Sequence, residues 1–433
     1  MHETTRFSRA VAALAFLLAP ALTHAADSTP AAQANAALVR AAQTQPAGLV
    51  KSDDYKDPDL WGRIRSGYAI PDLDNPLVAK HTQWYASRPD YLSRTAGRAS
   101  LYLYHVVSEL EKRGMPTELA LLPVIESAFN PQALSNANAA GIWQFMPGTG
   151  KDFDLKQNMF KDERRGVLAS TDAALTYLQR LYTMFGDWQL ALAAYNWGEG
   201  NVQKAIKHNQ ALGKPTDFEA LADQMPVETR NYVPKLQAVK NIIANPAQYG
   251  VTLPVIDNSP YFTQVDKTSD IDVTIAAQLA EMSVDEFKAL NPQFKKPVIT
   301  GDDAKILLPK ENAEKFHINL AQWGHALSTW TTHKITGAKE TITTLASKFH
   351  TTPEVIRQAN NIPARAHPRA GSTILVPKVS ASTGDISESV IDNAVLSFEA
   401  DHKARSGKQL TGSQRFRAKV AELKSRVARH HKR

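Results

Sequence analysis

The sequence predicts a multidomain chain, an all-α domain followed by two small α+β modules, and three observations lead there. At 433 residues the chain is too long for one ordinary core, since a domain takes roughly 100 to 200 residues. Apolar residues recur at helical spacing as far as about Ala247. Beyond Gly250 the texture changes to short β-type pieces around paired short helices, and it does so twice, with corresponding positions 66 to 69 residues apart.

Residues 26–56 are rich in Ala, Gln, Ser and Pro, with little apolar periodicity, and read as a flexible leader. The all-α domain, 57–250, opens where aromatic content rises at Trp61. Leu103, Val106, Val107 and Leu110 predict one helix from Ala99 to Arg113, capped by Gly114. A second helix starts at Thr117 as N-cap, carries Leu119, Leu122 and Ile125 towards the core, and stops before Asn130-Pro131. Pro123 inside it demands a bend or a boundary. Two more helices run from Ser170 to Phe185, with Gly186 after it, and from Asp187 as N-cap to Trp197, with Gly198 after it.

In the first module, 255–312, the run Ala276 to Ala280 leads to a capping box of Ser283 with Glu286, then to Leu290-Asn291-Pro292 and Ile306 to Pro309. In the second, 328–380, Leu345-Ala346 leads to Thr352-Pro353-Glu354, then Asn360-Asn361 and Ile374 to Pro377. Residues 381–433 form a basic tail, in which Phe416, Val420, Leu423 and Val427 recur at helical spacing. Such a tail is either a basic amphipathic helix for an anionic membrane surface or a phosphate-rich polymer, or a solvated disordered end.

Residues 1–25 read as an export signal: Arg6 and Arg9 precede an apolar run from Val11 to Leu22, and small residues follow at Thr23, Ala25 and Ala26. That run is shorter than the roughly 20 residues of a spanning helix, which disfavours an uncleaved anchor. The absence of cysteine excludes disulfides, thiolate metal sites, a thiol nucleophile and lipoprotein acylation. A periplasmic or secreted protein follows. Of the net charge of +7, the stretch from Asp401 to Arg433 contributes nine, leaving −2 for everything before it. The basic character therefore belongs to the tail, and nucleic acid is disfavoured as a partner by the export signal. Scattered His residues and an HHKR end without ligand spacing call for neither metal nor cofactor.

Chemistry concentrates between Glu126 and Gly150, ESAFNPQALSNANAAGIWQFMPGTG. A lone Glu on a helix is ordinarily a solvated surface residue. Here Leu121, Leu122, Ile125 and Phe129 offer apolar surface around Glu126, and Ser135, Asn138 and Gln144 offer hydrogen bonds. A carboxyl at the edge of such a pocket stays protonated near neutral pH, as the departure of a glycosidic oxygen requires. Asp162 and Glu163 stand before Arg164-Arg165 and read as a salt-bridged helix start rather than as cleft residues. Trp143, Trp197 and Tyr232 are candidate stacking faces for sugar rings, with a core position the equal alternative for Trp143.

Glu126, Ser127, Phe129, Pro131, Ala133, Ser135, Gly141, Trp143, Gln144, Met146 and Pro147 together resemble the signature of lytic transglycosylases with the goose-lysozyme-like catalytic fold. Eleven matched positions within 22 residues make the signal specific. Ala193-Ala194-Tyr195-Asn196 with Gly198-Glu199-Gly200 is similar to the family's second motif, and Glu228-Thr229 with Tyr232-Val233-Pro234 to its third. The 328–380 module resembles a LysM domain, a βααβ unit for peptidoglycan and chitin-like sugars, with Lys339-Glu340 where a Gly-Asp pair is common. The 255–312 module is LysM-like only. Asn138 stands where many relatives have Gly, and Gly166 where many have Asp; Asn tolerates the positive φ of such a turn.

This resemblance implies an exported enzyme that binds peptidoglycan glycan strands and cleaves the MurNAc-GlcNAc β-1,4 bond, forming a 1,6-anhydromuramic end. It implies Glu126 as sole acid and base, and Ser135, Gln144, Met146, Tyr195, Asn196, Trp197 and Tyr232 as substrate-binding residues. Ordinary glycosidases need a second carboxylate, and the first motif holds none. A muramidase-type hydrolase of the same fold, in which water replaces the 6-hydroxyl, and a non-catalytic wall-binding scaffold are the competing readings.

Overall fold

The structure, a computed structural model, describes residues 59–380 and 383–399. The expected export signal and leader, and the amphipathic pattern in the basic tail, lie outside the described residues.

Helices α1 (Leu60–Ser66), α2 (Pro76–Ala86), α3 (Pro89–Ala99), α4 (Leu103–Lys112), α5 (Leu122–Ser127), α6 (Pro147–Asp152), α7 (Val167–Phe185), α8 (Trp188–Trp197), α9 (Glu199–Ala211), α10 (Phe218–Leu221) and α11 (Val227–Ala244) build the all-α part. On α4, Leu103, Val106, Val107 and Leu110 are fully buried, each contributing about 1.5–3 kcal/mol by area removed from water. The helix expected from Ala99 to Arg113 starts only at Leu103, because the chain turns through residues 100–102 and Ala99 ends the preceding helix. That turn buries the Tyr102 ring and lets its hydroxyl donate to the Ala289 carbonyl. Gly114 takes the left-handed cap at φ 63.

Helix α7 starts at Val167 rather than Ser170, since the Ser170 N–H already reaches the Gly166 carbonyl at 2.9 Å. Asp187 caps α8 by accepting from the Leu190 N–H at 2.8 Å. Helices α8 and α9 meet at Gly198, whose φ of 92 turns the chain between them. Helix α11 packs against α2 and α8 and presents the third motif beside α5.

The first module contains β1 (Phe262–Asp266), β2 (Ile271–Asp272), α12 (Val273–Leu279), α13 (Val284–Leu290), β3 (Val298–Ile299), β4 (Lys305–Pro309) and α14 (Lys310–Ala321). The second contains β5 (Trp330–Lys334), α15 (Ile342–Lys348), α16 (Pro353–Asn360) and β6 (Thr373–Pro377), and α17 (Glu388–Asn393) follows. Strands β1 and β4 pair antiparallel, as do β5 and β6, with Phe262 opposite Pro309 and Trp330 opposite Pro377. The two ladders thus share one register, offset by the sequence repeat. Each module also contains the same buried asparagine brace. Asn291 donates to the carbonyls of Phe287 (3.0 Å) and Leu307 (2.8 Å) and accepts from the Leu307 N–H (2.8 Å). Asn360 repeats this with Ile356 (2.8 Å), Leu375 (2.8 Å) and the Leu375 N–H (2.7 Å).

The modules are docked on the helical part. Leu290 and Leu307 enter its core, and Phe160, Val298, Ala359, Leu375, Ile386 and Ile391 form a cluster that joins it to both modules. Residues 383–399, assigned from sequence to the tail, pack here through Ile386 and Ile391, with the Ile386 N–H donating to Asp270 at 2.8 Å. Apolar anchors in that segment outweigh its place next to a charged end.

Candidate active site

Glu126 sits in the last turn of α5, and its approach is built from a 3-10 turn, Thr117–Leu121, that leads into the helix. Pro123 falls in the first turn of α5, where its missing N–H costs nothing. The boundary demanded by that proline is the change from 3-10 to α geometry. Thr117 is not an N-cap: its hydroxyl donates to the Ile64 carbonyl at 2.6 Å and fastens the turn to α1. The helix ends at Ser127, earlier than Asn130-Pro131, because Ala128 and Phe129 adopt φ of 51 and 55. The buried Phe129 ring and the bond from its N–H to the Pro123 carbonyl, 2.9 Å, hold that strained exit.

One carboxylate oxygen of Glu126 accepts from the Tyr232 hydroxyl on α11. Burial pushes the Glu126 carboxyl up to about 7; the Tyr232 bond opposes this, Glu228 adds to it and Lys235 opposes it. The Tyr232 ring is buried, so it is no stacking face, contrary to the sequence reading. Its apolar body fills the core while its polar tip meets Glu126. Glu228, exposed on the same face of α11 one turn before Tyr232, is a second carboxylate within electrostatic reach that the first motif does not contain.

The loop after α5 is held from behind. Arg164, buried, donates to the carbonyls of Asn138 (2.7 Å) and Phe145 (3.1 Å) while its guanidinium grips Asp162 at 2.9 and 2.7 Å. Asp162 therefore braces the loop, and Glu163 pairs with Lys161 at 3.1 Å. Gly141, at φ 81, lies so close that a Cβ would stand 2.0 Å from the Arg164 carbonyl oxygen. Asn138 takes φ 66, as its turn role required. A Cβ on Gly166 would meet the Gln293 Cβ at 3.4 Å, so the glycine lies against the first module.

Within this loop the Ser135 hydroxyl accepts from the N–H groups of Ala137 (3.2 Å) and Ala139 (3.0 Å), and the Gln144 amide donates to the Gly141 carbonyl at 2.8 Å. Met146 is exposed just before α6. Trp143 is fully buried, its indole N–H donating to Thr171 at 3.1 Å, which removes it as a sugar-stacking face. Its carbonyl accepts from the Tyr195 hydroxyl at 3.0 Å. The Tyr195 ring continues a row with Tyr177 and Phe153, and Tyr177 in turn donates to Glu199 at 2.8 Å. Asn196 accepts from the Thr229 hydroxyl at 2.7 Å, which ties the second motif to the third. Trp197 is half-buried against the helical core.

The structure thus brings Glu126, Tyr232 and Tyr195 together electrostatically, with Asn196 one hydrogen bond from the helix of Tyr232. From sequence, Thr229 was read only as part of the third motif and Arg164 only as part of a salt-bridged helix start; the bond of Thr229 to Asn196 and the grip of Arg164 on the loop carbonyls come from the fold. Among the described residues no group of three or more His, Asp or Glu gathers to hold a metal.

Residues 106–218 match the transglycosylase SLT domain, 261–324 the LysM-like domain of lytic transglycosylase MltD, and 338–377 the LysM domain. The protein is therefore of the lytic transglycosylase class, a helix-rich SLT domain followed by LysM-type modules. It is 41% identical over 320 residues to membrane-bound lytic murein transglycosylase D of Escherichia coli (strain K12), covering 71% of this chain and 70% of that protein. The chain belongs to the lytic murein transglycosylase D family. More distant likenesses are soluble lytic murein transglycosylase of Salmonella typhimurium, 33% identical over 29% of this chain and 19% of its own length, and membrane-bound lytic murein transglycosylase C of Haemophilus ducreyi, 29% identical over 42% and 53%. Among the described residues no helix is long and apolar enough to cross a membrane.

Proposed function

We propose that this chain is an exported peptidoglycan lytic transglycosylase that cuts the MurNAc-GlcNAc β-1,4 bond and leaves a 1,6-anhydromuramic end, with Glu126 as its acid and base. The observation that carries the reading is the Glu126 carboxyl, half-buried beneath the Tyr232 hydroxyl and pushed up to about 7. Such a group holds a proton near neutral pH and surrenders it to the bridging oxygen as the C1–O bond breaks. The resulting carboxylate, still accepting from Tyr232, takes the proton of the muramic 6-hydroxyl as that oxygen bonds to C1. The proton balance closes on one residue, and no water is consumed.

Ser135, Gln144, Tyr195 and Asn196 position sugar and acetamide in this scheme, and Met146 and Trp197 offer apolar surface to the rings. The Ser135 hydroxyl accepts two N–H bonds, which leaves its own proton to donate. Asn196 accepts through its oxygen, which leaves its amide N–H groups for a substrate acetamide. The LysM modules hold glycan strands near the cleft and raise the local substrate concentration. The periplasmic or secreted location belongs to the same proposal and rests on Arg6, Arg9 and the apolar run after them.

A hydrolase of muramidase type is the second reading, and Glu228 favours it, because a second carboxylate near the acid is what activation of water needs. Digestion of purified sacculi, with the products read by mass spectrometry, separates the two by the mass of one water. Anhydro ends from wild type and none from Glu126→Gln are expected. Reducing ends alone would replace the proposal with the hydrolase, and sacculi left intact by wild type would replace it with a wall-binding scaffold.

A further inference from the structure

Between the two modules runs a groove of about 420 Å³ that is remote from Glu126 in sequence and is lined by both copies. Lys288, Lys295 and Lys296 come from the first module, Trp330 and Gln358 from the second, and Phe294 closes one side. Among the described residues no Asp or Glu lines it. Lys296 is 6% exposed, and among the described residues its ammonium finds only the Ala359 carbonyl, at 3.4 Å. Lys295 donates to the Asn158 carbonyl at 2.8 Å, and Lys288 is exposed with no ion pair among the described residues.

A buried ammonium without a counterion is costly, and proteins keep such groups where a ligand supplies the missing charge. Burial and then the charge of Lys295 push Lys296 down to about 8, so near neutral pH it is still mostly a cation. Neutral N-acetylated sugars need hydrogen bonds and ring faces, not three ammonium groups. Trp330 and Phe294 offer apolar walls, and Gln358 offers an amide that pairs with a peptide backbone. The groove is also linked to the cleft loop through one of its lysines. Lys295 holds the 158–162 segment through the Asn158 carbonyl and bonds its own N–H to the Phe160 carbonyl at 2.8 Å, and Asp162 of that segment braces the cleft loop.

Resting on the peptidoglycan reading of the enzyme, we propose that this inter-module groove binds the carboxylate-bearing stem peptide of the wall polymer, with Lys288 and Lys296 pairing its carboxylates. The modules then read the peptide as well as the sugar, and strands stripped of peptide are held less tightly.

The test uses the full chain made inactive by Glu126→Gln and calorimetric binding of three probes: a soluble muropeptide with its acidic peptide, a neutral N-acetylglucosamine oligomer of the same length as the bare saccharide, and polyphosphate. The muropeptide is expected to bind more tightly than the bare saccharide, and Lys288→Gln with Lys296→Met to weaken it by about tenfold or more while bare saccharide binding stays unchanged. If that double variant fails to fold, the exposed single charge reversal Lys288→Glu carries the same expectation. Equal affinity for muropeptide and bare saccharide, or a variant that binds muropeptide like the parent, overturns the proposal. Lysine-dependent binding of polyphosphate with none of muropeptide overturns it in favour of a phosphate source. Product analysis of wild-type sacculus digests stands apart: anhydro ends without peptide discrimination sink the groove alone, and absent cleavage sinks the enzyme reading alone.

Discussion

Below a pH of about 7 Glu126 keeps its proton, and above it the ionised form sits half-buried beneath Tyr232. The hydroxyl of Tyr232 donates to the carboxylate and so favours the ionised form. Removing it by Tyr232→Phe is expected to move the limb of the pH–rate profile set by Glu126 to higher pH. Turnover should also fall, since the returning carboxylate loses its fixed orientation; an unmoved profile of anhydro-product release would show that the tyrosine does not act through Glu126. Stability carries the same sign. With a folded pKa above the ordinary value of 4.5, stability relative to the unfolded chain is lost as pH rises from about 4.5 through about 7. Glu126→Gln, which cannot ionise, should therefore gain in Tm over wild type as pH rises through that window, while the two differ least near pH 4.5, a comparison that calorimetry across pH makes directly. The Glu126 motif was plain in the sequence; its bond to Tyr232 was not, because 106 residues separate the partners.

Among the elements, the two modules offer an internal control. Asn291 and Asn360 each make three hydrogen bonds to the last turn of a helix and the closing strand, in a fully buried place. Replacing either with Ala leaves the N–H and the carbonyl of the closing strand residue, Leu307 or Leu375, short of a partner, at about 1–3 kcal/mol per unsatisfied group, whereas the Phe287 carbonyl keeps the backbone N–H of residue 291. Asn291→Ala and Asn360→Ala should destabilise their own modules by similar amounts, as hydrogen exchange on β4 and β6 measures. The repeat itself, the capping box at Ser283 and the cap at Asp187 were legible because each is a local pattern of side chain and backbone. The break between α3 and α4 was not, since what turns the chain there is a tertiary pocket for Tyr102 and not a Gly or Pro.

For the whole molecule, the modules and the helical part share core residues, so they are coupled in stability. Leu307 belongs to β4 of the first module and packs into the core of the catalytic domain. Leu307→Ala is expected to cost about 2–5 kcal/mol and to loosen protection in α4 as well as in β4. Hydrogen exchange that weakens in β4 alone would show the two parts to be independent. The same docking ties the modules to the cleft: the loop bearing Ser135 and Gln144 is braced by Asp162 and Arg164, whose segment the first module holds.

The sequence by itself determined the helical domain with its repeated modules, the block around Glu126 and the order of the three motifs, because periodicity, caps and motif spacing are properties of neighbours along the chain. Only the tertiary structure decided that Trp143 and Tyr232 lie in the core, that Thr229 ties Asn196 to α11, that Glu228 stands near the acid and that a lysine groove opens between the modules. Burial, a hydrogen bond across a hundred residues and an unneutralised charge are set by what folding brings together, and no local pattern records them.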